Sequence, residues 1–273
     1  MIKLSVTTLG CPDWSLTEIL TRIKGYDYEA VELRGLEAEM DLWNHPAFSN
    51  PSAIAQTRVD FANADLGISA VDSSGSFSCP DPKQRAGMVD HVRRNIDLAV
   101  ALNAPFVRVF GGGDSSGAGQ EAIDGWVVES LRELGDYAAD AGGDVTVILE
   151  THDGYSNGKH VASIVAKVDS PHVGVLWDLH HPYRQGESPL DSYTALRPYL
   201  KLTHVKDSIG KDGRYCLLGD GDVPIESMVH ILRDGNWSGY LSVEWEKRWH
   251  PGIEAPEIAF PQYAHKLREY LRS

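Results

Sequence analysis

Positive charge is scarce in this chain: 25 Lys and Arg stand against 39 Asp and Glu, a formal net charge of −14. Proteins that hold nucleic acid need a basic footprint. The densest basic stretches here, Arg93-Arg94 and Lys247-Arg248, are short and interleaved with acids. The balance argues against nucleic-acid and anionic-membrane partners and favours a small neutral or metal-assisted substrate. Long hydrophobic runs are also missing: none approaches the roughly 20 residues that a membrane span requires. The opening MIKLSVTTLGCPDW carries one lysine and no apolar stretch of signal-peptide length, so it reads as a first strand and the expected location is cytoplasmic. Cysteine is sparse. Cys11, Cys79 and Cys216 form neither a CxxC nor an even framework, which predicts three free thiols in a reducing compartment, with Cys11 serving packing.

The rest is an ordinary globular composition, 42% hydrophobic and 23% charged over 273 residues, long enough for a sizeable core. Eight segments rich in Val, Ile, Thr and aromatics are predicted strands: residues 4–9, 29–34, 68–73, 106–110, 145–150, 173–178, 201–206 and 240–245. Helical patterns alternate with them. One is capped by Ser15 or Thr17 and runs through Lys24, and a second begins at Asn50-Pro51 and covers 51–66. A third, 82–103, sets Met88, Val92, Ile96, Ala99 and Leu102 near helical spacing. The others are 121–141, 160–168, 189–199, 224–233 and 256–271; Pro189, Pro224 and Pro256 mark helix starts. Strand–helix alternation implies parallel strands, and eight units in this length is the arithmetic of an α/β protein, a (β/α)8 TIM barrel formed by residues 1–273 as a single domain. The glycine-rich GGGDSSGAG (111–119) does not support a doubly wound sheet. It lacks a P-loop GK[ST], its third glycine position is Ser116, and it follows the fourth strand rather than the first. It reads as a flexible loop near the site.

Barrel enzymes carry their chemistry at the C-terminal ends of the strands. Here the fifth strand ends in Glu150, followed by His152 and Asp153. The sixth, VGVLWD, ends in Asp178, followed by His180 and His181. The seventh carries His204, Lys206 and Asp207, and the eighth Glu244 and Glu246. A lone acid at a strand end is usually a solvated loop residue or a cap, and a lone His is usually structural. Glu150, Asp178, His204 and Glu244 recur at equivalent ends, with steps of 28, 26 and 40 residues (150 to 178, 178 to 204, 204 to 244). Three converging carboxylates with no Lys or Arg between them repel. A divalent cation removes that repulsion, and oxygen donors with one imidazole suit Mn2+ or Mg2+, with Co2+ and Zn2+ as further options.

The ordered set resembles the xylose isomerase-like TIM-barrel superfamily of sugar isomerases and epimerases, which includes ketose 3-epimerases, hydroxypyruvate isomerase and inosose dehydratase. The resemblance runs from the first strand and GYDYEAVELRG (25–35) through Glu150, the DxxH of Asp178 and His181 and the HVKD of 204–207 to Glu244. It implies that Glu150, Asp178, His204 and Glu244 are metal ligands, that Glu150 and Glu244 are also the catalytic acid/base pair, and that His181 binds substrate. A metal-chelated carbonyl and hydroxyl acidify the neighbouring C–H. One carboxylate can then remove that proton and another return it. Return to the opposite face gives epimerisation, return to the next carbon gives isomerisation, and loss of a β-leaving group makes the enzyme a lyase.

Other positions have two readings. Lys206 shares the inward face with His204 and either holds substrate or pairs with a carboxylate. Arg34 either pairs with Glu32 or contacts substrate; Arg108 offers a buried ion pair. His152 is a further substrate-site candidate. Trp249 can stack on a sugar ring or pack, as can Trp14, Trp43 and Trp245. Two departures from the ketose 3-epimerases bear on substrate. THDGYSN (151–157) has no second Glu, and Arg214, the candidate for their substrate arginine, lies ten residues after His204. The Trp- and His-rich last loop suggests an inositol, an oxidised sugar or a glycoside. The rivals are a lyase acting on a keto-inositol or keto-glycoside, a nuclease, which the charge disfavours, and a non-catalytic sugar binder. Barrels of this type often pair, so a homo-oligomer is among the expected partners.

Overall fold

A computed structural model describes residues 1–113, 117–210 and 213–273. Its strands are β1 (Ile2–Thr7), β2 (Ala30–Leu33), β3 (Gly67–Ser76), β4 (Phe106–Phe110), β5 (Thr146–Glu150), β6 (Val173–Asp178), β7 (Leu200–Val205), β8 (Asp207–Ile209), β9 (Arg214–Cys216) and β10 (Gly239–Val243). Its helices are α1 (Leu16–Gly25), α2 (Pro51–Asn63), α3 (Pro82–Leu102), α4 (Gln120–Asp140), α5 (Gly158–Val168), α6 (His180–Arg184), α7 (Pro189–Leu196), α8 (Ile225–Asp234) and α9 (Pro256–Arg272). Eight strands close a barrel in the order β1-β10-β7-β6-β5-β4-β3-β2, and the pairs β1·β10, β1·β2, β3·β4, β4·β5 and β5·β6 run parallel. This is the expected (β/α)8 architecture. β5 and β6 are buried at every position, as strands covered on both faces must be.

The chain clusters into two compact units: Met1–Ser69 with Thr203–Ser273, and Ala70–Leu202. The first holds β1, β2, β10 and the second half of β7. Ser15 accepts from the Glu18 N–H while the Glu18 carboxylate takes the Ser15 N–H, a reciprocal cap that starts α1. Asn50 Oδ1 accepts from the Ala53 N–H at 3.0 Å to start α2. The second unit holds β4, β5, β6 and most of β3. Its helix α3 buries Val89, Val92, Ile96, Ala99 and Leu102, whereas Met88, expected on that stripe, is 38% exposed. Val89 takes the inward place one residue later.

Two elements went unforeseen: the short α6 immediately after β6, and the antiparallel β8–β9 hairpin. The glycine-rich loop falls partly on 114–116, which lie outside the described residues. At its start, a Cβ on Gly111 would come 2.2 Å from the Tyr155 ring, so the backbone rests directly on that side chain. Among the described residues, no helix is long and apolar enough to cross a membrane.

Candidate functional site

In the unit of Ala70–Leu202, β5 delivers Glu150 and β6 delivers Asp178, both fully buried. Asp178 is held by the chain that follows it. Its Oδ1 accepts from the backbone N–H of His180 at 2.7 Å and of His181 at 3.3 Å, where α6 begins. The Asp178 N–H donates to Thr151 Oγ1 at 2.9 Å, which ties the tips of β5 and β6 together. Asp178 Oδ2 lies 3.6 Å from His181 Nε2. The His181 ring meets His152 edge-on at 4.5 Å between centroids, and His152 lies 4.8 Å from the Phe110 ring. His152 Nδ1 is 3.0 Å from Asp153 Oδ1, and that hydrogen bond draws the Asp153 carboxyl below its ordinary range. Glu150, His152 and His181 thus present their donor atoms to one small region. His152 and His181 keep partial solvent access while the carboxylates are sealed, an arrangement suited to meeting a ligand from outside.

The expectation of carboxylates without an intervening cation is corrected here. Arg108, from β4 and 1% exposed, sets Nε 3.3 Å from Glu150 Oε2 and donates from Nη2 to Asp72 Oδ2 at 3.2 Å. Its Nη1 donates to the Ser73 carbonyl at 3.2 Å, and its guanidinium lies over the Phe110 ring. Arg108 therefore makes the buried ion pair that was one of its readings.

In the other unit, β7 delivers His204 and β10 leads into Glu244. His204 is fully buried between two carboxylates: Nε2 is 2.9 Å from Glu32 Oε1 and Nδ1 is 3.4 Å from Glu244 Oε2. A proton on Nε2, donated to Glu32, turns the Nδ1 lone pair toward Glu244. Carboxylate partners of this kind fix the tautomer and ring orientation of metal-binding imidazoles. Glu32, read as a partner for Arg34, serves His204 instead. Lys206 is fully buried and donates to Glu244 Oε2 in a short hydrogen bond and to Glu246 Oε1 at 2.9 Å. Here too a cation stands beside a candidate catalytic carboxylate.

The β8–β9 hairpin adds a residue that sequence reasoning missed. Tyr215 donates its hydroxyl to Glu246 Oε1 at 2.8 Å and lies beneath the Lys206 ammonium, 5.8 Å from ring centre to Nζ. Burial, reinforced by Glu246, pushes that phenol up, so it remains a neutral donor at ordinary pH. Arg214, which the resemblance offers as a substrate contact, begins β9. It is exposed, and neighbours in a strand point to opposite faces, so the inward place belongs to Tyr215. The signal available was strand alternation in RYC, which needed the hairpin to be recognised first. The hairpin is braced by Asp207, which accepts from the N–H of Ser208 at 2.8 Å, Gly219 at 2.9 Å and Gly221 at 3.2 Å. Trp249 stands 51% exposed after β10, while Trp245 is fully buried and donates to the Glu254 carbonyl, and Trp14 is buried against Phe260. Arg34, 9% exposed, follows β2.

In one unit Glu150 and Asp178 offer buried carboxylates, and in the other His204 and Glu244 offer an oriented imidazole and a carboxylate; donors of each kind suit a hard or borderline divalent cation. The chain is 28% identical over 169 residues to the fructoselysine 3-epimerase of Shigella flexneri, a match covering 60% of each. It is 26% identical over 164 residues to the inosose dehydratase of Clostridium botulinum, covering 54% of this chain and 53% of that protein. The chain thus spans between about half and three fifths of the length of the curated relatives it matches. The fold superposes on 3-keto-D-glucoside 4-epimerase from E. coli with a TM-score of 0.79 at 16% identity, covering 98% of this chain and 100% of that one. The family model of the xylose isomerase-like TIM barrel matches residues 20–271, and the chain belongs to that family.

Proposed function

We propose that this chain is a divalent-metal-dependent sugar isomerase or epimerase that removes a proton beside a carbonyl and passes through an enediolate. One observation carries the reading. Glu150, Asp178, His204 and Glu244 stand at the tips of β5, β6, β7 and β10, successive neighbours in the closed barrel, and none is more than 6% exposed. We assign these four side chains to one ion, Mn2+ or Mg2+ by donor chemistry, with Co2+ or Zn2+ as substitutes. The ion, when bound, supplies charge for the developing enediolate oxygen.

The chain's own residues do the rest. Glu150 and Glu244 are the proton-transfer pair, one removing and the other returning the proton. Arg108 and Lys206 hold these carboxylates in place, so Lys206 acts on Glu244 and Glu246 rather than on substrate. His181 and His152, partly open to solvent, bind substrate oxygens, and exposed Trp249 offers a face to a sugar ring. The substrate is a sugar or sugar-like small molecule. We take residues 1–273 as one working barrel, cytoplasmic, in keeping with the free Cys11, Cys79 and Cys216.

A lyase of the same fold is the second reading, favoured by the inosose dehydratase among the relatives. Incubation of the Mn2+-loaded protein with ketoses, keto-inositols and keto-glycosides in D2O separates them. Deuterium gain with the carbon skeleton conserved, absent in Glu150→Gln, supports the isomerase or epimerase. Loss of water or an aglycone moves the protein to the lyases. Deuterium gain that persists in Glu150→Gln refutes the assigned base pair.

A further inference from the structure

The buried ammonium of Lys206 is shared between two carboxylates. In the unit of Met1–Ser69 and Thr203–Ser273, Lys206 Nζ donates to Glu244 Oε2 and to Glu246 Oε1, the second at 2.9 Å. Both acids are largely withdrawn from water, their side chains 7% and 14% exposed. One positive and two negative charges leave these three groups one negative charge in excess. Buried charge is costly unless it is matched. A second cation matches it: Glu244 then serves that cation, and Lys206 keeps Glu246.

The chain prepares both halves of that exchange. The Glu244 N–H donates to the Val205 carbonyl at 3.0 Å, which sets the end of β10 beside Lys206. Glu244 Oε2 meets both the Lys206 ammonium and, at 3.4 Å, His204 Nδ1. The oxygen beside the imidazole is therefore the one that Lys206 holds. Glu246 is fixed from the far side. Tyr215 of the β8–β9 hairpin donates its hydroxyl at 2.8 Å to Oε1, the same oxygen that Lys206 reaches. The Glu246 carbonyl accepts from the N–H groups of Trp249 at 3.0 Å and His250 at 2.9 Å, and its Oε2 lies 3.6 Å from His250 Nε2. Lys206 thus has a second, anchored partner already within hydrogen-bond distance.

We infer that Glu246 is a positioning residue for metal binding: it receives the Lys206 ammonium when Glu244 turns to a divalent cation, and so sets the affinity of the site. The inference rests on the proposed function in taking Glu244 and His204 as ligands. Two cations on one carboxylate repel each other. Without the Glu246 charge, binding has to break the Lys206–Glu244 pair with no carboxylate to take the ammonium over.

Mn2+ affinity of the chelator-treated protein, read by calorimetry, tests this without any substrate. Glu246→Gln keeps the shape and removes the charge, and should weaken binding about tenfold, the weight of one charge-assisted hydrogen bond. Lys206→Met removes the competing cation and should tighten binding by a similar factor. Loss of a nearby negative charge would by itself weaken Mn2+ binding, so the double variant decides. If Glu246 acts through Lys206, Glu246→Gln should change affinity less than about twofold in the Lys206→Met background, the scatter of independent sites. Circular dichroism checks that each variant folds. Should Lys206→Met not fold, Lys206→Gln, uncharged but able to donate to both carboxylates, takes its place. Equal weakening in both backgrounds, or none in Glu246→Gln, overturns the inference and leaves the metal site standing. Absence of Mn2+ binding in wild type removes the metal site itself, and the inference with it.

Discussion

Replacing Arg108 with Met probes how the site tolerates its own charge. The guanidinium is 1% exposed and lies against Asp72 and Glu150, both buried. Methionine of similar length fills the space and leaves two carboxylates without that cation. Removing one partner of a buried ion pair costs about 3–5 kcal/mol. At roughly 2–4 °C per kcal/mol for a chain of this size, the melting temperature of metal-free protein should fall by about 6–20 °C. Saturating Mn2+ should recover part of the loss, because Arg108 and the ion both neutralise Glu150, and removing one makes the other count for more. The assay is thermal denaturation followed by circular dichroism, with and without Mn2+ after chelator treatment. Arg93→Met is the control: its pairs with Asp90 and Glu133 are at the surface, where such bridges contribute about 0–1 kcal/mol. A metal-free Arg108→Met protein melting within about 2 °C of wild type, or an equal rise on Mn2+ addition in both, would refute the reasoning.

Other outcomes follow from the same contacts. Glu32→Gln should leave the fold intact but weaken Mn2+ binding about 10–100-fold by calorimetry, because His204 loses its orienting carboxylate; unchanged affinity would remove that role. Gly111→Ala should destabilise by about 1–3 kcal/mol in urea titrations, since the new methyl meets the Tyr155 ring; a neutral result would mean that the loop shifts freely. Burial pushes the Asp124 carboxyl up, but hydrogen bonds from Gln120, His160 and Tyr155 outweigh it and leave the group below its ordinary range. A depressed carboxyl contributes stability above its unfolded value near pH 4 and loses it as pH falls through the folded value. Wild type should therefore lose more stability than Asp124→Asn on acidification below about pH 4, and parallel acid melts would contradict this.

Sequence alone showed the barrel well where strands were bounded sharply. FVRVF and VGVLWD, β-branched runs stopped by glycine or a polar turn, came out with the boundaries of β4 and β6. Elsewhere the predicted edges drifted by one to three residues, because the last strand residue is decided by pairing with a neighbour. The β8–β9 hairpin was hidden because three-residue strands give too little alternation to read. Tyr215, which faces Glu246 from that hairpin, was hidden with it. Acids at strand tips were visible because parallel strands repeat with the βα unit. Their counter-ions were not: Arg108 reaches Glu150 from the next strand over, a pairing that depends on register and rotamer rather than spacing. Glu32 was assigned to Arg34 on its own strand for the same reason, whereas its partner His204 lies 172 positions away in the chain.

Counting bound metal tests the central claim most directly. The chelated protein is titrated with Mn2+, and bound ion is measured by the loss of its free electron-paramagnetic signal, for wild type, Asp178→Asn and His204→Gln. The account predicts one tight ion per chain in wild type, lost or weakened at least about tenfold in each variant, with the circular dichroism of all three alike. No tight ion in wild type, or undiminished binding in both folded variants, would contradict it.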